Sequence, residues 1–205
     1  MKHKLSIRII CFCLILVVLG AISCSKEERK AGDLTSLSFI HASPSSGPVT
    51  LEIGGQPFLN TPLAYTDLSG TATEPYLAAP AGVGRIRLSG SGQQDIAEGN
   101  FVFVSNRKFS LFLYDSVSTG GSQKPVVSVL ADNPSADTAR AALRFFQFAG
   151  NIDTVILVLF NDTDTLVTGA PFFGNYPPSV QNQNSAFRHL TAAAQYIAEL
   201  YDARG

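Results

Sequence analysis

Residues 37–55 of this 205-residue chain read LSFIHASPSSGPVTLEIGG and give the strongest indication of its fold. Within them, residues 37–41 and 49–53 alternate apolar with polar side chains and are separated by Ser, Pro and Gly. That alternation is the period of a half-buried β-strand, and paired glycines such as Gly54-Gly55 are typical of a hairpin turn. The stretch therefore predicts two strands and the start of a hairpin.

Similar short segments follow at residues 85–88, 101–104 and 109–114, with turn signals such as Pro80-Ala81-Gly82 between them. Strands at a spacing of roughly 8–12 residues are typical of an all-β sandwich. Helical signals are scarce, and only residues 135–142 and 184–190 are expected to form a turn or two of helix.

The strand pattern repeats within the chain. Residues 37–40 and 49–53 recur 106 positions later, as 143–146 and 155–159. Two further pairs recur 111 positions later: Tyr76-Leu77 as Phe187-Arg188, and Arg85-Ile86 as Tyr196-Ile197. An insertion near Tyr176-Pro177-Pro178 accounts for the change of offset. Self-similarity of this kind indicates two copies of one β unit.

We therefore expect a first β-sandwich repeat over residues 36–131, a linker over 132–141 and a second repeat over 142–205. The second copy ends at Gly205, which is equivalent to the region near Gly92 of the first copy. It is thus expected to be partial. Two explanations stay open: the sequence is a fragment, or the second unit is a reduced sandwich with an exposed edge.

The amino terminus has the features of a secretory signal peptide over residues 1–23. A basic start with Lys2, Lys4 and Arg8 precedes an apolar run over residues 9–19. That run is shorter than the ~20 residues of a comfortable membrane span, although an amino-terminal transmembrane anchor is the alternative.

The exit Ala21-Ile22-Ser23-Cys24 resembles a bacterial lipobox, in which Leu is commoner than Ala at the first position. The resemblance implies that the Cys24 thiol is alkylated with diacylglycerol, that the chain is cut before it, and that its new amine is acylated. The acyl chains would anchor the protein firmly, with residues 24–35 as a lipidated tether.

Three charged residues after that cysteine, Lys26, Glu27 and Glu28, resemble the lipoprotein export signal of Bacteroidetes. The resemblance implies an outer-membrane lipoprotein on the cell surface. A solvated charged tether is the alternative.

Composition narrows the class of partner. Removing residues 1–23 leaves 12 Lys and Arg against 16 Asp and Glu, an acidic balance that argues against a nucleic-acid partner. Cys24 would be the one cysteine left, so no disulfide framework is expected.

Two motifs resemble the domain-of-unknown-function 4397 family. They are His41-Ala42-Ser43-Pro44 and the run Tyr76-Leu77-Ala78-Ala79-Pro80-Ala81-Gly82. The chain departs from the family pattern at Ser45-Ser46, and Gln147-Phe148-Ala149 replaces His-Ala-Ser in the second copy. The resemblance implies a secreted or lipid-anchored bacterial β-sandwich protein with no established activity. We therefore expect two tandem immunoglobulin-like antiparallel β-sandwich units, the second incomplete at its carboxyl end.

Signatures of catalysis are missing from the sequence. It contains no Gly-x-Ser-x-Gly elbow, Walker loop or His-Glu-x-x-His motif. His41 is expected to be a hydrogen-bonded residue at a strand end, and the polar loop over residues 161–165 is better explained as a turn than as a calcium site. We predict a protein that is not an enzyme and has no cofactor or metal.

The predicted function is a non-catalytic binding or adhesion module for a glycan or a surface protein. The alternative is a structural component of an outer-membrane surface assembly. Exposed tyrosines can stack against ligands, and Tyr176 and Tyr65 are the candidate contacts.

A repeated pattern of Asp, hydroxyl residue and aliphatic or small residue resembles an O-glycosylation motif of exported Bacteroidetes proteins. Thr138, Ser116 and Thr165 are the candidate acceptors. Asp-Thr is also common where a turn enters a strand, which is the alternative explanation.

The lipobox interpretation predicts the outcome of Cys24→Ala. Because the acyl chain needs the thiol, the variant should not be labelled by a fatty-acid analogue and should accumulate as unprocessed precursor. Metabolic labelling followed by gel analysis measures both effects. Equal labelling of the wild type and the variant would contradict the interpretation.

Overall fold

The computed structural model describes residues 33–92, 94–117, 123–132, 140–152, 154–161, 165–171, 187–190 and 195–204. These residues lie in one compact unit, Asp33–Gly205. They form strands and no helix, so the all-β prediction is confirmed. Within them, no helix has the length and apolar character needed to cross a membrane.

The strands follow one another closely. The first eight are β1 Leu34–Ala42, β2 Val49–Ile53, β3 Gln56–Pro57, β4 Leu77–Pro80, β5 Gly82–Gly90, β6 Asp95–Phe103, β7 Lys108–Val117 and β8 Gln123–Asp132. The remaining five are β9 Ala141–Leu143, β10 Thr154–Phe160, β11 Thr165–Pro171, β12 Arg188–Leu190 and β13 Ile197–Asp202.

The first eight strands form two four-stranded sheets. We call the sheet β4-β1-β7-β8 the front sheet and the sheet β3-β2-β5-β6 the back sheet. All neighbours are antiparallel except β1 and β7, which run parallel from Ser36 opposite Lys108 to Ala42 opposite Tyr114. The front sheet is therefore mixed, which alternation in the sequence does not reveal.

One hydrophobic core joins the two sheets. Alternate side chains of β1 and β7, such as Leu37, Phe39 and Leu111, are fully buried against Leu51 and Ile86 of the back sheet. Burying a side chain of this size contributes about 1.5–3 kcal/mol. The period-2 pattern of the sequence thus corresponds to the inward face of each sheet.

The predicted hairpin after β2 is present. Gly54 and Gly55 have φ angles of 62° and 79°, and β2 pairs antiparallel with β3 directly after them. Positive φ at both central positions is the geometry of the type I′ turn, which glycine adopts without steric cost.

The outer face of the front sheet carries a second apolar cluster. Phe112 and Tyr114 of β7 contact Phe146 and Phe148, with ring centroids 4.9–5.3 Å apart. Residues 144–146, which the repeat aligned with strand β1, are not in a strand. Their aromatic side chains cover the front sheet instead, and tertiary packing explains the difference.

The later strands form smaller sheets. β10 lies between β11 and β13, and β9 pairs with β12. The two segments expected to contain helical turns include β9 and β12 where they are described, so the helix prediction is wrong there. Both strands are three residues long and obtain their hydrogen bonds from each other.

The shared core predicts a large effect of Leu111→Ala. Leu111 is fully buried in the core, so we expect the free energy of unfolding to fall by about 2–5 kcal/mol. Val102→Ala on β6 is the control, because this side chain is 65% exposed and should change stability little. Urea denaturation measures both. Equal effects would contradict the assigned core.

Candidate functional site

A cavity of about 450 Å³ lies beside the ends of β1 and β7, and we call it the β1–β7 cavity. Its size is within the range of small-molecule sites. It is lined by Ile40, His41, Ala42, Pro44, Tyr65, Thr66, Asp115, Gln123, Phe148, Ala149, Gly150 and Asn151.

A turn over residues 43–47, which we call the serine turn, begins one wall of the cavity. The Ser46 N–H donates to the Ser43 carbonyl at 3.4 Å, and Gly47 has a φ of 63°. Glycine suits that left-handed conformation because it lacks a Cβ atom. The turn directs Ser43 and Ser45 back toward β7.

Asp115, near the end of β7, forms hydrogen bonds with this turn. Its side chain accepts hydrogen bonds from the Ser43 hydroxyl, from the Ser45 hydroxyl at 2.7 Å and from the Ser45 N–H at 3.2 Å. Only 4% of the residue is exposed. Such bonds offset part of the cost of burying the carboxyl group.

His41 fixes the other end of the serine turn. It is fully buried, its Nε2 lies 2.7 Å from the Gly47 carbonyl oxygen, and its Nδ1 accepts from the Ser43 N–H at 3.3 Å. The neutral tautomer with hydrogen on Nε2 satisfies both contacts. His41 is therefore a hydrogen-bonded residue at a strand end, as the sequence predicts.

Ser43, His41 and Asp115 are the residue types of a hydrolytic triad, but their connections differ from one. The Ser43 hydroxyl donates to Asp115, whereas both ring nitrogens of His41 contact backbone groups. A triad needs the histidine between the hydroxyl and the carboxylate. The observed contacts hold the serine turn in place, and His41 does not lie between the Ser43 hydroxyl and Asp115.

Tyr65 and Thr66 form part of the rim. Tyr65 is 48% exposed, and its ring meets that of His41 edge-on, with centroids 6.2 Å apart. Thr66 has a φ of 76°, which is strained for a β-branched residue, and its N–H donates to the His41 carbonyl at 2.9 Å. Strain of this kind persists where surrounding bonds impose it and often occurs at functional sites.

The opposite wall comes from residues 148–151. Gln147, just before them, is 4% exposed and donates from Nε2 to the carbonyls of Ala149 at 3.0 Å and Ile152 at 2.6 Å. The buried amide thus fixes the backbone of that wall, as His41 fixes the serine turn.

The other predicted sites are dispersed. Tyr65 lines the cavity, and its contact with a ligand stays a prediction. Ser116 is half-buried on β7 with its hydroxyl donating to the Lys124 carbonyl at 3.1 Å, and Thr165 is exposed at the start of β11. The remaining candidates lie outside the described residues; they are Cys24, Lys26, Glu27, Glu28, Thr138 and Tyr176. Residues 162–164 of the polar loop lie outside them as well. Within the described part of the chain, no three His, Cys, Asp or Glu side chains group as metal ligands would.

Sequence reasoning missed Asp115 as a site residue. It noted this residue only as part of a glycosylation pattern. A carboxyl group directly after the apolar segment 109–114 was the available signal, because such a side chain must find hydrogen-bond donors if the strand is buried. The cavity itself depends on residues distant in sequence, so no local pattern indicates it.

A known family model matches more than half of the chain. Residues 35–158 match the family model described as Domain of unknown function (DUF4397). The match is continuous through residues 132–141, the expected linker, and includes every residue that lines the β1–β7 cavity. No curated protein matches the chain.

The role of His41 predicts the effect of His41→Leu. The buried Ser43 N–H would lose its acceptor, so we expect the free energy of unfolding to fall by about 1–3 kcal/mol. Tyr65→Phe is the control, because it keeps the ring beside position 41 and should leave stability unchanged. Urea midpoints measure both variants. An unchanged midpoint for His41→Leu would contradict the assigned role.

Proposed function

We propose that this chain, which belongs to the family described as Domain of unknown function (DUF4397), is a lipid-anchored, surface-exposed binding or adhesion module without catalytic activity. The observation that carries the proposal is the β1–β7 cavity. It combines ligand-sized volume, an exposed tyrosine at its rim and polar groups in its wall. Binding sites typically combine apolar lining with a few fixed polar groups.

The hydrogen-bond pattern supports binding over catalysis. Both nitrogens of His41 are engaged with the backbone, and the Ser43 hydroxyl is bound to Asp115. A general base must be within reach of the proton that it removes. The same contacts hold the cavity wall in a fixed shape, which reduces the entropy lost when a ligand binds.

The proposed location is the outer membrane, facing outward. The lipobox-like Ala21-Ile22-Ser23-Cys24 and the charged residues Lys26, Glu27 and Glu28 support it. In this proposal the tether after Cys24 ends where strand β1 begins at Leu34, and the anchored module would meet a glycan or a surface protein at the cell surface. The acidic balance of the processed chain does not favour nucleic acid.

A structural role in a surface assembly is the second candidate. Strand β13 exposes Ile197, Leu200 and Tyr201 to 59%, 64% and 50%. Ile197 and Tyr201 lie on one face of the strand and Leu200 on the other, so both faces of β13 offer apolar surface for protein contacts. In this alternative the protein would pack against neighbours and would need no small ligand.

We further propose that the chain contains two immunoglobulin-like units in tandem. Leu37 pairs with Leu77 between β1 and β4, and their repeat equivalents Leu143 and Arg188 pair between β9 and β12. The order β3-β2-β5 likewise corresponds to β11-β10-β13. A front and a back sheet around one core support an immunoglobulin-like arrangement for the first unit.

A fragment screen tests the binding proposal. We expect ligand-observed NMR to find fragments that bind the wild type and lose at least tenfold in affinity with Tyr65→Ala, because that change removes the aromatic rim. Tyr201→Ala is the matched control: Tyr201 is 50% exposed and lies on β13, outside the cavity. Binding of a labelled fragment to intact cells then tests surface exposure.

A screen without any fragment that depends on Tyr65 would overturn the binding proposal. Loss of self-association or of partner capture with Tyr201→Ala alone would instead favour the structural role.

A further inference from the structure

We infer that the β1–β7 cavity binds a cationic group, a guanidinium or alkylammonium, with Asp115 as its counter-charge. The inference rests on the proposed binding function and names the class of its ligand. It depends on the charge balance at Asp115, the composition of the cavity wall and a contrast with a second buried aspartate.

Asp115 is a buried carboxyl group whose hydrogen-bond partners among the described residues are all neutral. Its donors are two serine hydroxyls and one backbone N–H. Its Oδ1 atom accepts from both hydroxyls, while the one donor to Oδ2 within the described ranges is the Ser45 N–H. Each carboxylate oxygen has two lone-pair sites, so Oδ2 retains capacity for a further donor.

Positive charge is not supplied by the surrounding described residues. The neighbouring His41 directs both ring nitrogens at backbone groups of the serine turn rather than at Asp115, and none of the ion pairs in the described ranges includes Asp115. Buried charges in proteins are generally paired. A cationic ligand would supply the opposite charge for Asp115.

Asp132 on the adjacent strand β8 provides an internal comparison. It is also buried and accepts from neutral groups, the Tyr76 hydroxyl at 2.9 Å and the Ser110 hydroxyl at 2.6 Å. In addition it forms an ion pair with Arg144, whose side chain is 8% exposed. The front sheet thus contains two buried aspartates. Asp132 pairs with a cation, whereas Asp115, which has no cationic partner among the residues that the structure describes, lines a cavity.

The rest of the wall suits the stem of a cationic side chain. Ile40, Ala42 and Phe148 present apolar surface, and Tyr65 provides an exposed aromatic ring at the rim. Long cationic groups bury their methylenes along apolar surface and are attracted to aromatic faces. An anionic ligand would be repelled by Asp115.

The test compares two ligands of equal shape. N-acetyl-arginine amide carries a guanidinium, whereas N-acetyl-citrulline amide replaces it with a neutral urea group. We expect calorimetry to give at least tenfold tighter binding of the arginine compound to the wild type. The preference should decrease as salt concentration rises.

Asp115→Asn should remove the preference, and Asp67→Asn should keep it. Asp67 is exposed, lies two residues from Tyr65 and is not part of the lining, so the control removes the same charge nearby. Urea midpoints show whether each variant is folded. If Asp115→Asn does not fold, the salt dependence of the wild-type preference decides.

The outcomes separate the two proposals. Equal affinities for the arginine and citrulline compounds would overturn the cationic ligand, while binding that is lost with Tyr65→Ala would keep the binding function. If no fragment and neither amide binds the protein, the binding function and the cationic ligand are both overturned. n-Butylguanidine keeps the single guanidinium and an alkyl stem but lacks both amides. Binding as tight as that of the arginine compound indicates a small-molecule cation, and weaker binding indicates a peptide side chain.

Discussion

The parallel pairing of β1 with β7 is the constraint on which the other features depend. Its register places Ala42 opposite Tyr114, so the next residues along each strand, Ser43 and Asp115, are neighbours. A shift of one residue would turn His41 from the inner to the outer face of the front sheet. The serine turn, the buried carboxyl group and one wall of the cavity therefore follow from this single register.

Polar groups buried at the front sheet connect distant parts of the chain. Asp132 accepts from Tyr76 and Ser110 and pairs with Arg144, which also lies over the Phe187 ring at 4.3 Å. Burial lowers the pKa of Arg144, and the nearby Tyr76 acts in the opposite direction. Removing one partner of a buried ion pair leaves the other uncompensated, which typically costs several kcal/mol. This cluster thus holds residues 144–148 against the front sheet.

Local patterns predicted the strands and the Gly54-Gly55 hairpin because these depend on side-chain alternation and on backbone freedom. The same patterns did not predict the parallel β1–β7 pair, because all four strands of the back sheet lie between its two partners in the sequence. They also placed residues 144–146 in a strand, whereas these residues lie outside any strand and Phe146 covers Phe112. The role of Asp115 was missed for the same reason: its hydrogen-bond donors lie about 70 residues earlier in the chain.

The two walls of the cavity come from segments that are equivalent in the tandem proposal. His41 and Gln147 are separated by the repeat offset, are both buried, and both bind backbone carbonyls of the turn that follows them. The cavity would then lie where corresponding turns of the two units meet, so neither unit could form it alone. The family match over residues 35–158 is consistent with this requirement, because it extends past the first unit far enough to include both walls.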